Sequence, residues 1–579
     1  MALQFIFGGS GYGKTTELIR RTLALAEQKP DRTLFVIVPE QYTIEMQRAL
    51  VQASSHAGIL NVDVVSFARL AHRIFEEQGK LSRVILDDVG KSLLLQRVVQ
   101  NVEDELTVLK KGIRRPGYIT EVKSILSEFM QYGIDEEDLA YLQEQTQRQS
   151  AGLSMKLRDL RILFHAFRQG LGERYLTKEE MLLVLADCIA DSDLLRDSVI
   201  ALDGFTGFTP VQMSVIRELM KVCGHMFVSV TIDPSVDPYA YRDPYELFGM
   251  SRRMVRILRN TAREESFPEA DPCMLKVRKV NSGEVLSFLE TNLFRDNACV
   301  YEGEDPSAQI ELFAATDPRA EVMLAAKKAA QLMRDHDWHY RDIAVVASDM
   351  DAYVEDFREI FVRYKLPFFI DHRHSVMDNA FVRYVRGLID IELTDYAQAS
   401  VMGFLRTGFG DMSTQEIDSL DNELTARGLR GYRQWRKQTG DEQADALRAR
   451  VLERLDGFHR AVSGNTLTVT GYSEALYRFL EQDEAIGSLE NAADYFAGQG
   501  DGPSVKEYEK IYESLMHLFD QFTELIGDQE MTLGEYAQLL DAGLNEIRIG
   551  VIPRTRDHIL IGDMTRTRIP QAKALIIVE

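Results

Sequence analysis

The sequence predicts an α/β protein with two parallel-sheet domains, each carrying a largely helical insertion. Three observations support this prediction. Short apolar runs alternate with amphipathic stretches in two separate parts of the 579-residue chain, as in doubly wound sheets. Long stretches with apolar residues at helical spacing interrupt both parts. The chain is also longer than one hydrophobic core can organise, so several domains are expected.

The first α/β part is predicted to be discontinuous. Its strands and helices alternate in the order Gln4–Phe7, Lys14–Gln28, Thr33–Val38, Gln41–Val51, Val62–Val65, Phe67–Gln78, Ser198–Leu202, Val211–Val222 and Met226–Ile232. Between the sixth and seventh of these elements the strand signal vanishes and helical spacing prevails. We therefore predict a first domain of residues 1–86 and 193–300, with a helical insertion over residues 87–192.

A second α/β part begins near residue 309. Its expected elements are Ile310–Ala314, Arg319–Arg334, Ile343–Ala347, Tyr353–Tyr364, Phe368–Ile370, His558–Gly562 and Ala574–Val578. We predict a domain of residues 301–378 and 546–579, with a helical insertion over residues 379–545. Because the chain ends directly after a strand-like run, we expect this domain to be truncated and the sequence to be a piece of a longer protein.

The most specific motif joins the first strand to the first helix. Gly8–Thr15 matches the phosphate-binding pattern G-x-x-x-x-G-K-[ST]. The glycines let backbone N–H groups surround a phosphate, Lys14 can reach the β- and γ-phosphates, and the Thr15 hydroxyl can bind Mg²⁺. The dipole of the following helix adds to this attraction. The predicted ATP-binding residues are Gly8, Gly9, Ser10, Gly11, Tyr12, Gly13, Lys14, Thr15 and Thr16.

A carboxylate at the end of a neighbouring strand completes such a site. Asp203 follows the apolar run V-I-A-L and is the candidate Mg²⁺ ligand together with Thr15. The alternative is that Asp203 only ends a strand. The next residue is Gly204, where a hydrolytic enzyme of this kind would carry a glutamate that activates water. We therefore expect weak or absent ATPase activity and assign no catalytic residue.

The bulk composition argues against several classes of protein. A net charge of −23 is unlike that of a protein that coats nucleic acid through a generally basic surface. No run approaches the ~20 apolar residues of a membrane span, and no basic leader precedes the apolar run at the N-terminus. The four cysteines form no C-x-x-C pair, so neither a structural zinc or iron–sulfur site nor a disulfide framework is expected. We predict a cytoplasmic protein with no membrane association.

Three basic clusters are candidates for local contact with nucleic acid. The alternative for each is a solvated helix face. The clusters comprise Lys110, Lys111, Arg114 and Arg115; Arg252, Arg253, Arg256 and Arg259, followed by Lys276, Arg278 and Lys279; and Arg427, Arg430, Arg433, Arg436 and Lys437, with Tyr432 and Trp435 interleaved.

Several segments, in order along the chain, carry a resemblance to a known family. They are Gly8–Thr15, Val38–Tyr42, Ser66–Leu70, Asp203–Pro210, Arg319–Glu321, Asp342–Val346 and Leu366–Asp371. With these segments the chain resembles, over essentially its whole length, the N-terminal half of AddB, the B subunit of the bacterial ATP-dependent helicase–nuclease AddAB. The P-loop alone is generic, whereas D-G-F-x-x-F-T-P and P-F-F-I-D are more specific. The resemblance implies two P-loop helicase-like (RecA-like) domains.

The resemblance also implies a process and partners. AddB forms a heterodimer with AddA, the principal motor, and the complex acts on double- and single-stranded DNA. Its role is double-strand break repair by homologous recombination, and AddB is implicated in scanning for the hotspot sequence Chi. The family's C-terminal nuclease domain and iron–sulfur cluster are expected only in a part that this sequence does not contain.

Three further motifs are weaker. Arg568–Leu575 resembles a degenerate helicase motif T-x-H-x-x-K-G-L, in which Lys573 and Leu575 match while the threonine, histidine and glycine are replaced. Arg319 is either close to a nucleotide γ-phosphate or a solvent-exposed arginine at a helix start. His372–His374 could be metal ligands, but a surface loop is the simpler interpretation because no third ligand has a recognisable spacing.

Three functions therefore remain open. The first is a helicase–nuclease subunit that binds ATP and Mg²⁺ at the P-loop and DNA along a helicase-like core. The second is an autonomous ATP-driven helicase, which Gly204 and the degenerate motif argue against. The third is a non-enzymatic DNA-binding scaffold with a vestigial P-loop. ATP-analogue binding and DNA-stimulated ATPase activity distinguish the three.

Overall fold

The structure is a computed structural model of an α/β protein. It describes residues 2–579 except 55–60, 81–82, 114–115, 149, 173, 242, 244, 280–282, 296–298, 372–373, 465, 484, 500–501, 550–556, 568 and 570–571. The chain divides into two compact units, each of which is described by itself. The first comprises residues 1–87 and 98–311, and the second comprises residues 88–97 and 312–579.

The first unit alternates strands with helices at both ends and is helical in between. Helix α4 is shared between the two units. The elements are β1 Leu3–Gly8, α1 Lys14–Gln28, β2 Leu34–Ile37, α2 Thr43–Ala53, β3 Val62–Val65, α3 Phe67–Gln78, β4 Val84–Ile85, α4 Asp88–Val102, α5 Pro116–Tyr132, α6 Glu136–Gln147, α7 Ala151–Leu171, β5 Tyr175–Leu176, α8 Lys178–Ile189, β6 Val199–Leu202, α9 Pro210–Val222, β7 His225–Thr231, α10 Gly249–Glu264, β8 Cys273–Met274 and α11 Gly283–Asn292.

A six-stranded parallel sheet organises this unit. Its strand order is β3-β2-β6-β7-β1-β8, and all neighbours are parallel. The strands are apolar on both faces because helices cover both sides, and Phe5 and Phe7 of β1 have no exposed surface. The carboxyl ends of all six strands therefore meet at one edge, which is where parallel α/β sheets bind ligands. The predicted parallel sheet is confirmed.

Local capping explains where the helices next to this edge begin. Ser66 caps α3 by accepting a hydrogen bond from the backbone N–H of Arg69 at 3.3 Å. Thr209 caps α9 in a reciprocal arrangement with Gln212, and Pro210 occupies the first turn. The T-P end of the D-G-F-T-G-F-T-P segment is therefore a helix start.

The second unit combines a smaller sheet with a large helical part. Its described elements are α12 Pro318–Asp335, β9 Ile343–Ala347, α13 Met350–Arg363, β10 Phe368–Asp371, β11 His374–Ser375, α14 Ala380–Leu393, α15 Gln398–Leu405, α16 Thr414–Arg427, α17 Tyr432–Trp435, α18 Glu442–Val462, β12 Leu467–Thr468, α19 Val469–Gln482, α20 Ala485–Gln499, α21 Gly502–Ile526, β13 Glu530–Met531, α22 Leu533–Glu546, β14 Arg548–Ile549, β15 Ile559–Asp563 and β16 Ala574–Val578. The sheet has the order β10-β15-β9-β16 and is parallel throughout.

The strand predicted at Ile310–Ala314 is wrong. The backbone N–H of Ile310 donates to the carbonyl of Pro306 at 2.9 Å, which closes a turn instead of starting a ladder. None of the strands that the structure describes pairs with this segment. Leu312 is 95% exposed and Phe313 is 64% exposed. An apolar run specifies a strand only when a neighbouring strand satisfies its backbone groups and covers its side chains.

Candidate nucleotide-binding site

The candidate site lies at the carboxyl edge of the first sheet. The P-loop follows β1, and Asp203 directly follows β6. Strand β7 lies between these two strands. Three neighbouring strands thus bring together residues that are almost two hundred positions apart in sequence.

The P-loop has the backbone conformation that its glycines allow. Gly13 caps α1 with φ +83°, which is the left-handed region that other residues rarely adopt. Tyr12 folds over Gly9, where a β-carbon would come within 2.7 Å of the Tyr12 ring. Ser10 and Thr16 are exposed, whereas Gly8 is buried. The loop therefore needs glycine for its conformation at Gly13 and also at Gly11, which has φ +74°, while the Tyr12 ring leaves little room for a side chain at Gly9.

Lys14 lies across this loop at the start of α1. Its Nζ donates a hydrogen bond to the carbonyl of Gly9 at 2.8 Å. The N-cap residue Gly13 offers no side chain to the first helical turn, so the backbone N–H groups there are not capped by it. An ammonium group and a helix N-terminus together form an anion-binding arrangement.

The structure brings Thr15 and Asp203 into direct contact. The Thr15 hydroxyl donates to Oδ2 of Asp203 at 3.0 Å. Asp203 is 2% exposed, and its Oδ1 accepts a short hydrogen bond from the hydroxyl of Ser229 on β7. Two hydroxyl groups thus hold the carboxylate at the foot of the P-loop.

Ser229 was not predicted from the sequence. The residue sits in the buried run M-F-V-S-V of β7 and is 4% exposed. A lone hydroxyl in an otherwise apolar central strand has to find a buried partner, because an unsatisfied buried polar group costs about 1–3 kcal/mol. The placement of this serine in a buried strand indicates that it needs a polar partner, but it does not reveal which carboxylate Ser229 contacts.

The glycine after Asp203 has a backbone that disfavours a side chain. Gly204 has φ +81°, and a β-carbon there would lie 3.5 Å from Pro39 and Tyr42. The space is sufficient, so the constraint is conformational. A water-activating glutamate at this position would need a backbone different from the present one.

We therefore predict that Gly204→Glu creates no ATPase activity and lowers the free energy of unfolding by about 1–2 kcal/mol, the cost of a left-handed non-glycine residue. Phosphate release and urea unfolding are the measurements. Gly207→Glu is the matched control, because Gly207 lies in the same loop without a positive φ and no atom lies within 4 Å of a β-carbon there. Strong phosphate release by Gly204→Glu alone would contradict this interpretation.

The structure separates the residues of the second basic cluster. Arg252 is 7% exposed and forms an ion pair with Glu246 at 2.6 Å. Arg259 pairs with Glu269 at 2.8 Å. Arg253 and Arg256 remain exposed on α10.

The basic residues that follow β8 also differ in their surroundings, as those of α10 do. Arg278 pairs with Glu290 on α11, whereas Lys276 is exposed. Lys279 lies against the P-loop, where its side chain approaches Gly13. One lysine of this cluster thus lies beside the P-loop.

The aromatic residues of the third basic cluster are structural. Trp435 is 1% exposed and donates its Nε1–H to the carbonyl of Tyr396. Tyr432 donates to Asp456 and stacks on His459, with ring centroids 3.8 Å apart. These rings are therefore not available to stack on bases. The exposed basic residues around them are Arg430, Arg433, Arg436 and Lys437, and Arg427, also exposed, pairs with Glu423 at 3.3 Å.

The first basic cluster is only partly described. Lys110 forms an ion pair with Asp104 at 2.9 Å, and Lys111 is exposed. Arg114 and Arg115 lie outside the described residues.

The weaker candidates have structural partners where they are described. Arg319 forms ion pairs with Asp356 and Glu359 of α13, both at 2.6 Å. Lys573 pairs with Asp342 at 2.8 Å and thereby ties β16 to the start of β9. Arg568, Pro570, His372 and Arg373 lie outside the described residues.

Histidine, cysteine and carboxylate side chains form no larger metal-binding cluster in the described part of the chain. No group of three or more His, Cys, Asp or Glu residues there is placed to hold a metal ion. Cys188 and Cys223 are buried, Cys273 is half-buried and Cys299 is exposed, and all four are free thiols. Among the helices that the structure describes, none combines the length and apolar composition needed to cross a bilayer.

Comparisons with known proteins agree on one family. The family profile described as "ADDB, N-terminal" matches residues 5–290. The chain is 32% identical to the B subunit of an ATP-dependent helicase/deoxyribonuclease from Lachnoclostridium phytofermentans, over 99% of this chain and 51% of that relative. Proteins of the same name from Thermoanaerobacter sp. and Clostridium acetobutylicum are each 28% identical over 100% of this chain and 51% of their own length. The chain thus spans about half the length of these curated relatives.

Proposed function

Because the chain belongs to the AddB family, and because its P-loop threonine meets a buried carboxylate at 3.0 Å, we propose that it is the nucleotide-binding part of a DNA helicase–nuclease subunit. The contact between Thr15 and Asp203 carries this proposal. It joins the two magnesium-binding components of a P-loop site across a strand. On this proposal, each of the two units contains one RecA-like domain.

The residues present fit ATP with Mg²⁺. Mg²⁺ prefers oxygen ligands and is commonly bound by one or two carboxylates together with substrate phosphates. The Thr15 hydroxyl and the Asp203 carboxylate provide such oxygens, and Ser229 orients the carboxylate from the other side. When bound, the cation would neutralise phosphate charge. The chain's own contribution is to hold Asp203 beside the loop and to offer Lys14 and backbone N–H groups to the phosphates.

The same geometry supports a regulatory role over a motor role. Gly204 occupies the position of the water-activating base with a backbone that disfavours a side chain. Lys573, one of the two residues that match the degenerate helicase motif, is engaged in an ion pair with Asp342. We propose that nucleotide binding, with little hydrolysis, is the activity of this site.

The name of the relatives suggests the process and the partners with which this chain works. The relatives are B subunits of ATP-dependent helicase/deoxyribonucleases. We propose that the present chain likewise works with an AddA-type motor on double- and single-stranded DNA in recombinational repair, with Chi scanning as part of that role. Phosphate contacts come from the exposed basic residues that form no ion pair within the described part of the chain, among them Arg253 on α10 and Arg433 on α17.

Equilibrium binding of a fluorescent ATP analogue tests this function. We expect measurable binding in Mg²⁺ and a loss of about 10–100-fold in Lys14→Ala, because a charge-assisted hydrogen bond contributes about 1.5–3 kcal/mol. Lys276→Ala, on an exposed lysine, is the control and should bind normally. No binding at millimolar nucleotide would favour a vestigial P-loop. Robust DNA-stimulated ATPase activity that Lys14→Ala abolishes would favour an autonomous motor.

A further inference from the structure

We propose that Lys279 is a second phosphate-contacting lysine of this site, a proposal that rests on nucleotide binding at the P-loop. Its ligand class is the di- or triphosphate chain of a nucleotide. In sequence Lys279 is grouped with Lys276 and Arg278. In the structure the three side chains have different surroundings: Lys279 lies against the P-loop, Arg278 pairs with Glu290, and Lys276 is exposed.

A short segment runs alongside the loop and delivers Lys279. Strand β8 pairs in parallel with β1, so that Ile6 faces Cys273. Past the strand, the backbone N–H of Leu275 donates to the carbonyl of Phe7 at 2.9 Å. The backbone N–H of Lys279 then donates to the carbonyl of Gly11, also at 2.9 Å. The segment thus follows the strand into the P-loop and remains bonded to it.

The Lys279 side chain reaches the start of α1. A β-carbon on Gly13 would lie 2.7 Å from Cδ of Lys279, 3.1 Å from its Cε and 3.3 Å from its Nζ. Gly13 is the N-cap of α1. The ammonium group therefore sits beside the helix N-terminus that binds phosphate in a P-loop site.

This position is electrostatically unfavourable without an anion. A helix N-terminus carries roughly half a positive charge, which repels a cation. Arg278 is neutralised by Glu290, but the exposed Lys279 side chain makes no hydrogen bond or ion pair with the described residues. Lys14 adds a second ammonium group at the same helix start. Two cations and a helix N-terminus that converge on one loop are suited to a polyphosphate, which would neutralise all three.

The test compares charge with packing at one position. Lys279→Met keeps the stem against Gly13 and removes the charge, Lys279→Arg restores the charge, and Lys276→Met is the matched control. The full chain is titrated with fluorescent analogues of ATP, ADP and AMP in Mg²⁺. We expect Lys279→Met to weaken ATP binding about tenfold or more. We expect Lys279→Arg to recover most of that loss, Lys276→Met to bind normally, and AMP binding to change little.

Other outcomes overturn the proposal in distinguishable ways. If Lys14→Ala loses affinity while Lys279→Met binds ATP as Lys276→Met does, Lys279 contacts no phosphate and the proposed function stands. If Lys279→Met weakens ATP and AMP equally and also lowers the melting temperature, its role is packing. If the unmodified chain binds none of the three nucleotides, the proposed function fails, and the role of Lys279 fails with it.

Discussion

Replacing Asp203 with asparagine is expected to remove the Mg²⁺-dependent part of ATP binding while the fold is retained. The asparagine oxygen can accept from one of the hydroxyls of Thr15 and Ser229, and its NH2 group can donate to the oxygen of the other, so the buried network keeps its shape. The negative charge that attracts the cation is lost. Replacing a residue that only hydrogen-bonds to a metal ligand already lowers metal affinity by about 10–100-fold. Removing the charge of the ligand itself should therefore lower the affinity for Mg²⁺ by more than about 100-fold.

The measurement is the affinity for an ATP analogue in excess Mg²⁺ and in excess EDTA. The unmodified chain should bind more tightly with Mg²⁺, whereas Asp203→Asn should bind equally in both conditions. Asp63→Asn is a matched control, because Asp63 lies on β3 of the same sheet and its only described ion pair is the 3.9 Å contact with Arg73. If Asp203→Asn kept its Mg²⁺ response, Asp203 would be a strand-end residue with a purely structural role.

The parts of this site that could be predicted from sequence are those encoded locally. Gly8–Thr15 specifies its own conformation through glycine spacing, and Lys14–Gln28 follows as a helix with the predicted bounds. Asp203 was identifiable because it ends an apolar run of the right length. Each prediction needed only neighbouring residues.

The residues that could not be predicted depend on strand order. Ser229 contacts Asp203 only because β7 lies between β6 and β1. Lys279 reaches Gly13 only because β8 pairs with the outer side of β1. The periodicity of the segments does not predict which strands are neighbours, because the same alternation of strands and helices is compatible with several strand orders.

Charge patterns were a poor guide for the same reason. Arg252 and Arg253 are adjacent in sequence, yet the first is buried in an ion pair and the second is exposed. Trp435 lies among arginines and still belongs to the core of the helical part. Helical spacing places residues on a face, but only the tertiary fold decides which face is covered.

The largest expected effect on stability is in the helical part of the second unit, at Arg454. This arginine donates to Oδ1 of Asp483 at 2.6 Å and to the carbonyl of Phe409 at 2.8 Å, and the arginine and aspartate side chains are each 13% exposed. Tyr384, which is fully buried, donates a short hydrogen bond to the same carboxylate, and burial raises the pKa of Tyr384. Arg454→Met should lower the free energy of unfolding by about 3–5 kcal/mol, because it leaves the Asp483 charge buried without its partner.

Tryptophan fluorescence isolates this effect, because the two tryptophans of the chain, Trp338 and Trp435, both belong to the second unit. When urea unfolding is followed by this fluorescence, the midpoint urea concentration of Arg454→Met should be much lower than that of the unmodified chain. The double variant Arg454→Met with Asp483→Leu should recover much of the lost stability, because it also removes the buried Asp483 charge that has lost its partner. Arg319→Met is the control, because its two ion pairs are equally short but the arginine is 43% exposed, so solvent screens them and the shift should be much smaller. Equal shifts for the Arg454 and Arg319 variants would show that burial does not set the strength of these pairs.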